Sequence, residues 1–322
     1  MSSSPVIEVE HLSKYYGHFP AVTDVSFTVG RGEILGFLGP NGAGKTTTMK
    51  VLTGFIPPTS GVVKIAGFDV VSESLNARKQ VGYLPETVPL YTDMTIRDYL
   101  NFMGTIRGME KVRIVRRINE VVDLCNLGDY QDTLIGKLSK GYRQRVGIAQ
   151  AIIHEPDILI LDEPTIGIDP IQVVETRQLI KSLGSDHTLI VSTHILPEVS
   201  TICERVIILH EGEVVAVDRP ENLGQRLQLA DRTKVEIRGP TTKVAEALRS
   251  IKDVQDVSFE PLDDTRSAYT LTSRRGHDLR EDISRVVVGQ DWGLLKLEAV
   301  SMTLEEIFLK LTTEEPTDET SE

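Results

Sequence analysis

Three short stretches carry residue types and spacings suited to chemistry on a phosphorylated substrate. The first is Gly39-Pro40-Asn41-Gly42-Ala43-Gly44-Lys45-Thr46, followed by Thr47, which fits the pattern G-x-x-x-x-G-K-[ST]. Glycines there let successive backbone N–H groups turn inward into an anion nest, and a following helix adds the positive end of its dipole. Lys45 supplies a point charge for terminal phosphates, and the Thr46 hydroxyl suits a phosphate-bound Mg²⁺. The second stretch, Ile158-Leu159-Ile160-Leu161-Asp162-Glu163, is an apolar run ending in two carboxylates. Asp162 is placed to hold Mg²⁺ and Glu163 to polarise an attacking water, and the second carboxylate favours hydrolysis over small-molecule phosphorylation. The third, Leu138-Ser139-Lys140-Gly141-Tyr142-Arg143-Gln144-Arg145, opens a helix whose N-cap is Ser139. A capped helix N-terminus next to a glycine is another anion site. The chain therefore reads as a binder of a nucleoside triphosphate, with one phosphate site more than a single phosphate loop requires.

The elements that must position these residues are legible as hydrophobic patterns. Ile34-Leu35-Gly36-Phe37-Leu38 is a buried strand leading into the phosphate loop, and Thr47–Leu52 begins the helix leading out. Ile158–Leu161, Leu189–Val191 and Val206–Leu209 are short continuous apolar runs, as expected of parallel strands covered on both faces. Ile7–Glu10 and Val25–Val29 alternate apolar and polar residues like half-buried antiparallel strands, with Leu12–Gly17 between them. Val81–Leu84 is a short strand running into the loop at Glu86. Between about residues 90 and 153 the pattern turns helical, with Ile96, Tyr99, Leu100 and Met103 on one face and Ile114, Ile118, Val121, Val122 and Cys125 on another.

Composition narrows the setting. The 322 residues are enough for a large domain and a smaller one, at about 100–200 residues each. The net charge of −12 argues against a general nucleic-acid binder, so no nucleic-acid partner is expected. The two cysteines, Cys125 and Cys203, sit in apolar helix-like runs and read as buried reduced thiols, which suits a cytosolic protein. No apolar run approaches the ~20 residues that cross a bilayer, and the first residues lack a signal-peptide layout. Work at a membrane would need another polypeptide to supply the spans.

Beyond residue 225 the order strand, helix, strand, strand, helix, strand suits a small ferredoxin-like domain. The expected division is therefore a cassette over 1–225, an accessory α+β domain over 226–312 that ends in an amphipathic helix at 303–311, and an acidic disordered tail over 313–322.

Taken in their order, these motifs make the chain resemble an ATP-binding-cassette (ABC) ATPase over roughly residues 6–220. Leu138-Ser139-Lys140-Gly141-Tyr142 is similar to that family's L-S-G-G-Q signature. The resemblance implies an α/β P-loop NTPase cassette with an antiparallel β-subdomain and a helical insertion, acting on ATP with Mg²⁺. It implies that Ser139 and Gly141 face a nucleotide held by a second cassette, so that the ATP-bound state is a head-to-tail dimer. It assigns Tyr16, the aromatic directly before Gly17, to adenine stacking, and His194 to the γ-phosphate and the attacking water. Ile166-Gly167-Ile168-Asp169 matches the loop that crosses the dimer interface. Glu86 stands where most members have a glutamine that ligates Mg²⁺ and couples the site to the transporter; a carboxylate still ligates but loses the amide donor.

Tyr83-Leu84-Pro85-Glu86 with Pro89-Leu90-Tyr91, and Met302–Phe308, look like exporter-type cassettes of the gliding-motility group. That likeness implies a separately encoded transmembrane permease and a place on the cytoplasmic side of the cell membrane. The alternative is a soluble cassette ATPase acting on ribosomes or DNA. Such proteins usually carry two cassettes in one chain, zinc-binding cysteines or long coiled coils. One cassette and two isolated cysteines favour the transporter.

Overall fold

The apolar runs assemble into a six-stranded sheet of order β10-β9-β3-β8-β7-β6. Its strands are β3 (Ile34–Leu38), β6 (Val81–Leu84), β7 (Ile158–Asp162), β8 (Thr188–Thr193), β9 (Arg205–His210) and β10 (Glu213–Asp218). The first five run parallel, and β10 returns antiparallel to β9. Every residue of β3, β7 and β8 is buried, which is why these strands read as unbroken apolar runs. Register pairs Leu38 with Thr193 and Asp162 with Ser192, so the carboxyl ends of β3, β7 and β8 finish side by side. Parallel sheets of this kind bind ligands at that edge.

The computed structural model describes residues 5–222, 230–263, 265–274 and 278–300. The helix expected over 303–311, the motif Met302–Phe308 and the acidic tail lie outside the described residues. The chain divides into two units, Met1–Pro220 and Glu221–Glu322.

In the first unit a second, antiparallel sheet has the order β2-β1-β4-β5, formed by β1 (Ile7–Tyr16), β2 (Phe19–Val29), β4 (Ser60–Ile65) and β5 (Phe68–Asp69). Its apolar face and the parallel sheet share one core with α1 (Lys45–Leu52) and α2 (Ser74–Lys79), through Val9, Leu12, Phe27, Phe37, Met49, Ala77 and Ile160. The Phe27 and Phe37 rings meet edge to face at 5.1 Å. Both β1 and β2 are longer than the alternation predicts. Register shifts between Val9 and Leu12, with His11 at φ +51°, put two exposed residues between two buried ones. A β-bulge of this kind breaks the period-two pattern without ending the strand.

The helical insertion consists of α3 (Ile96–Ile106), α4 (Lys111–Leu124) and α5 (Lys140–Ile152). Thr95 caps α3 by accepting the Asp98 N–H, and Gly108 at φ +75° turns the chain toward α4. The apolar face Ile114, Ile118, Val121, Val122 and Cys125 is buried. Helix α5 packs so closely on β6 that a Cβ on Gly82 would lie 2.1 Å from the Ala151 carbonyl oxygen. Cys125 and Cys203 are free thiols, buried as expected, and burial pushes both up to about 12.

The second unit has strands β11 (Ala230–Arg238), β12 (Val254–Pro261), β13 (Arg266–Arg274) and β14 (Gly293–Val300), with helices Thr241–Arg249 and Arg280–Gly289 between them. The sheet is antiparallel with order β12-β13-β11-β14, the split βαβ arrangement of ferredoxin-like folds. Its core includes Val235, Ile237, Leu248, Tyr269, Leu271 and Ile283. Among the described residues, no helix is long and apolar enough to cross a membrane.

Candidate functional site

Strand β3 delivers the chain into the loop 39–44, and α1 carries it away. Gly42 and Gly44 adopt φ +87° and +100°, a region that side chains disfavour. A Cβ on Gly44 would stand 2.6 Å from the Ala21 carbonyl oxygen, and one on Gly39 would stand 2.5 Å from that of Leu209. The loop is thus pressed between two strands at positions only glycine can fill. Lys45, 5% exposed, folds back over it: Nζ donates to the Gly39 carbonyl at 2.7 Å and to that of Pro40 at 3.2 Å.

The carboxylate pair arrives from β7. Asp162 is fully buried; its Oδ1 accepts the Ser192 hydroxyl at 2.5 Å, while Oδ2 has no hydrogen-bond partner among the described residues. Burial pushes the Asp162 carboxyl up, opposed by the Ser192 and Thr46 hydroxyls and by Lys45, and reinforced by Glu86. Glu163 turns the chain at φ +49°, and its N–H is held by the Ser192 hydroxyl at 3.0 Å. Its side chain is nearly buried, with Oε1 3.4 Å from Lys45 Nζ and Oε2 2.9 Å from His194 Nδ1. His194 follows the last residue of β8 and keeps 37% of its side chain exposed. Lys45, Glu163 and His194 thereby form a row, a carboxylate between an ammonium and an imidazole.

In front of this row lies a cleft of about 380 Å³, lined by Tyr16, Phe19, Ala21, residues 41–47, Glu86, Glu163 and Ile166. Among the sequence-expected site residues, Tyr16, Asn41, Gly42, Ala43, Gly44, Lys45, Thr46, Thr47, Glu86 and Glu163 line it. Gly39, Pro40, Asp162 and His194 do not line it: Gly39 and Pro40 hold Lys45, and Asp162 and His194 flank Glu163. Tyr16 stands at the cleft with Lys14 Nζ 5.6 Å from its ring centre, whereas the Tyr15 N–H is taken by the Thr59 hydroxyl. Phe19, 66% exposed, was missed in the sequence. It pairs with Tyr16 across the turn at Gly17 and His18, so two aromatics edge the cleft. The signal was present: a two-residue turn between strands brings its flanking residues opposite each other.

Glu86 is exposed after β6, and its charge, with that of Asp162, adds to the burial that pushes the Tyr83 phenol up. It also lines a neighbouring hollow of about 350 Å³ with Lys140, Arg143 and Gln144.

Ser139 and Gly141 are not in the cleft of their own chain. Ser139 accepts the Tyr142 N–H at 3.4 Å as the cap of α5. That helix end lies against α6 (Pro170–Leu183) and the loop before it: a Cβ on Gly141 would meet Gln172 Oε1, and one on Gly167 would meet Lys140 Nζ. Arg145 and Glu175 pair across the same two helices.

Comparison with known proteins agrees with this geometry. A family model described as ABC transporter matches residues 22–166. Linearmycin resistance ATP-binding protein LnrL of Bacillus subtilis (strain 168) is 30% identical over 308 residues, covering 95% of this chain and 98% of that protein. Bacitracin transport ATP-binding protein BcrA of Bacillus licheniformis is 33% identical over 316 residues, covering 96% and 97%. A solved structure of the ATP binding subunit of an ABC transporter is similar at TM-score 0.63 and 31% identity, covering 70% of this chain and 94% of that one. With its phosphate loop, its carboxylate pair and relatives matched along almost their whole length, the chain belongs to the ATP-binding proteins of the ABC transporter family.

Proposed function

We propose that this chain is the ATP-hydrolysing subunit of an exporter-type ABC transporter. It would work as a pair of cassettes on a separately encoded permease, peripheral to the cytoplasmic face of the cell membrane. Residues 1–225 would be the cassette and 226–312 an accessory domain. The observation that carries hydrolysis is the position of Glu163, buried against Lys45 on one side and His194 on the other, at the edge of a cleft floored by the phosphate loop.

The N–H groups of residues 42–47 bind the phosphates, and Lys45 exchanges two loop carbonyls for them. Tyr16 and Phe19 hold the base by stacking. Glu163 accepts a proton from the water whose oxygen attacks the γ-phosphorus, as the bond to the ADP oxygen breaks. With Nδ1 engaged by Glu163, Nε2 of His194 is the ring nitrogen left for a phosphate oxygen and the water.

The donors present fit Mg²⁺. Asp162 Oδ2 is buried with no hydrogen-bond partner among the described residues, the Thr46 hydroxyl acts on the same carboxyl, and Glu86 offers a further oxygen. Among the described residues, no group of three or more His, Cys, Asp or Glu could hold a metal. The site would therefore need phosphate oxygens as further ligands. When bound, Mg²⁺ supplies neutralisation of the charge that develops on the phosphates.

The second cassette is supported by Ser139, a capped helix end outside its own chain's cleft. Export through a separate permease is supported by relatives named for linearmycin resistance and bacitracin transport, and by Nod factor export ATP-binding protein I of Ralstonia nicotianae, 34% identical over 228 residues.

The test is steady-state ATP hydrolysis and ATP calorimetry on the purified full chain. Wild type should turn over, and Lys45→Ala should lose ATP affinity. Wild type without turnover, or Lys45→Ala with unchanged affinity, would reject the reading.

A further inference from the structure

One buried carboxylate near the site has no part in the reaction described above. Glu198 lies on α7 (Leu196–Ile202), four residues past His194, and is 2% exposed. Its Oε1 accepts the Thr165 hydroxyl at 2.6 Å and Arg177 Nη2 at 3.1 Å, and its Oε2 accepts the Thr193 hydroxyl at 2.8 Å. A carboxylate is costly to bury unless donors surround it, and these three donors meet that need.

Where the donors are attached gives the arrangement its meaning. Thr165 stands two residues after Glu163, on the loop leaving β7, and Thr193 directly precedes His194 at the end of β8. Both threonines are buried. The Thr193 hydroxyl also accepts the Ile195 N–H at 3.0 Å, so hydrogen bonds bracket the turn that carries His194. Arg177 ties the same carboxylate to α6. One side chain therefore joins the backbone segments that present the two members of the Glu163–His194 contact.

We propose that Glu198 is a positioning residue: by holding Thr165 and Thr193 on one carboxylate, it sets the distance between Glu163 and His194. The inference rests on the hydrolytic reading above and concerns its geometry. Glu198 touches neither phosphate loop nor cleft, so its loss should act on turnover and leave ATP binding alone. Displacement by an ångström at a reacting centre costs about 10²-fold in rate, so a loosened Glu163–His194 contact has a readable effect.

The experiment measures kcat, KM and ATP dissociation constant for the full chain carrying Glu198→Ala, Glu198→Gln, Thr165→Val or Thr193→Val, alone and with His194→Ala. Glu198→Ala should lower kcat about 10–100-fold with ATP affinity within about threefold of wild type. Glu198→Gln should recover part of that loss, because its carbonyl oxygen accepts one hydroxyl and its amide can donate to the other. The valine variants keep threonine's shape and remove one hydroxyl each; they should lower kcat by about 5–20-fold and give the answer even if Glu198→Ala does not fold. In the His194→Ala background, losing Glu198 should cost less than about threefold, since the contact it sets is already gone. Wild-type-like turnover in the valine variants, loss of kcat and affinity in step, or full additivity with His194→Ala would each overturn the inference. Wild type that fails to hydrolyse ATP would instead reject the hydrolytic reading itself.

Discussion

His194 Nδ1 lies 2.9 Å from Glu163 Oε2, while Lys45 Nζ lies 3.4 Å from the other oxygen of the same carboxylate. The ammonium and the imidazole come from different segments, 118 and 31 residues from Glu163, and both engage one nearly buried group. Glu163→Gln keeps the shape, and its oxygen still accepts a hydrogen bond, but it cannot take a proton. Turnover should fall about 10²–10⁴-fold, the share of a general base, while ATP binding persists. A single-turnover assay checks this, and retention of more than a tenth of the wild-type rate would remove Glu163 from that role.

Tyr16 and Phe19 face each other across the turn at one edge of the cleft. Replacing either by alanine should weaken ATP binding by about tenfold, in line with base–aromatic stacking of about 1–3 kcal/mol, and Tyr16→Phe should be near neutral. Calorimetry with ATP distinguishes the two positions. An effect at Tyr16 alone would mean that Phe19 edges the cleft without touching the base.

Gly82 sits where β6 meets α5, and an added Cβ would lie 2.1 Å from the Ala151 carbonyl oxygen and 2.7 Å from Leu159. The carbonyl belongs to a helix backbone and cannot swing aside. Gly82→Ala should destabilise the fold by about 3 kcal/mol or more, as overpacking at backbone does. Urea unfolding of the variant measures it, and a loss below about 1 kcal/mol would show that α5 shifts freely on the sheet.

His154 lies at the end of α5, with Nε2 3.2 Å from the Val81 carbonyl oxygen. Burial, followed by the charge of Arg107 and smaller contributions from His187 and Arg113, pushes the imidazole down to about 4. The unfolded chain binds the proton near pH 6.5, so between that value and about 4 the unfolded state holds more protons. Stability is full above pH 6.5 and is lost as the pH falls, by up to about 3 kcal/mol from this group. His154→Gln should flatten the decline of Tm between pH 7 and pH 5 relative to wild type. An unchanged slope would assign the acid sensitivity to other groups.

Ser139 caps α5 away from its own chain's cleft. Ser139→Arg should block closure of two cassettes while each still binds ATP. Pairing a Lys45→Ala subunit with a Ser139→Arg subunit gathers both lesions into one composite site and leaves the other intact. Partial ATPase recovery in that mixture, absent from either homodimer, is the expected result. Normal ATP-dependent dimerisation and turnover of Ser139→Arg alone would overturn the composite site.

What the sequence determined by itself is local. The positive φ angles of Gly42 and Gly44, the Ser139 cap and the burial of Ile158–Asp162 follow from residue types within a few positions of one another. The helical faces around Ile114 and Ile118 and the βαββαβ order of the second unit were legible for the same reason. The tertiary structure decided what depends on strand order and register. Asp162 meets Ser192 only because β7 and β8 are neighbours in that register, and this also brings His194 to Glu163. The extra length of β1 and β2 came from bulges, which interrupt the alternation used to find strands. Phe19 reached the cleft through pairing across a turn. Glu198 gives no sign in the sequence of what it holds, since its partners Thr165, Arg177 and Thr193 lie up to 33 residues away. A local pattern reports which face of an element is apolar; which elements then touch is settled by packing summed over the whole core, and those contacts brought Lys45, Glu163 and His194 together.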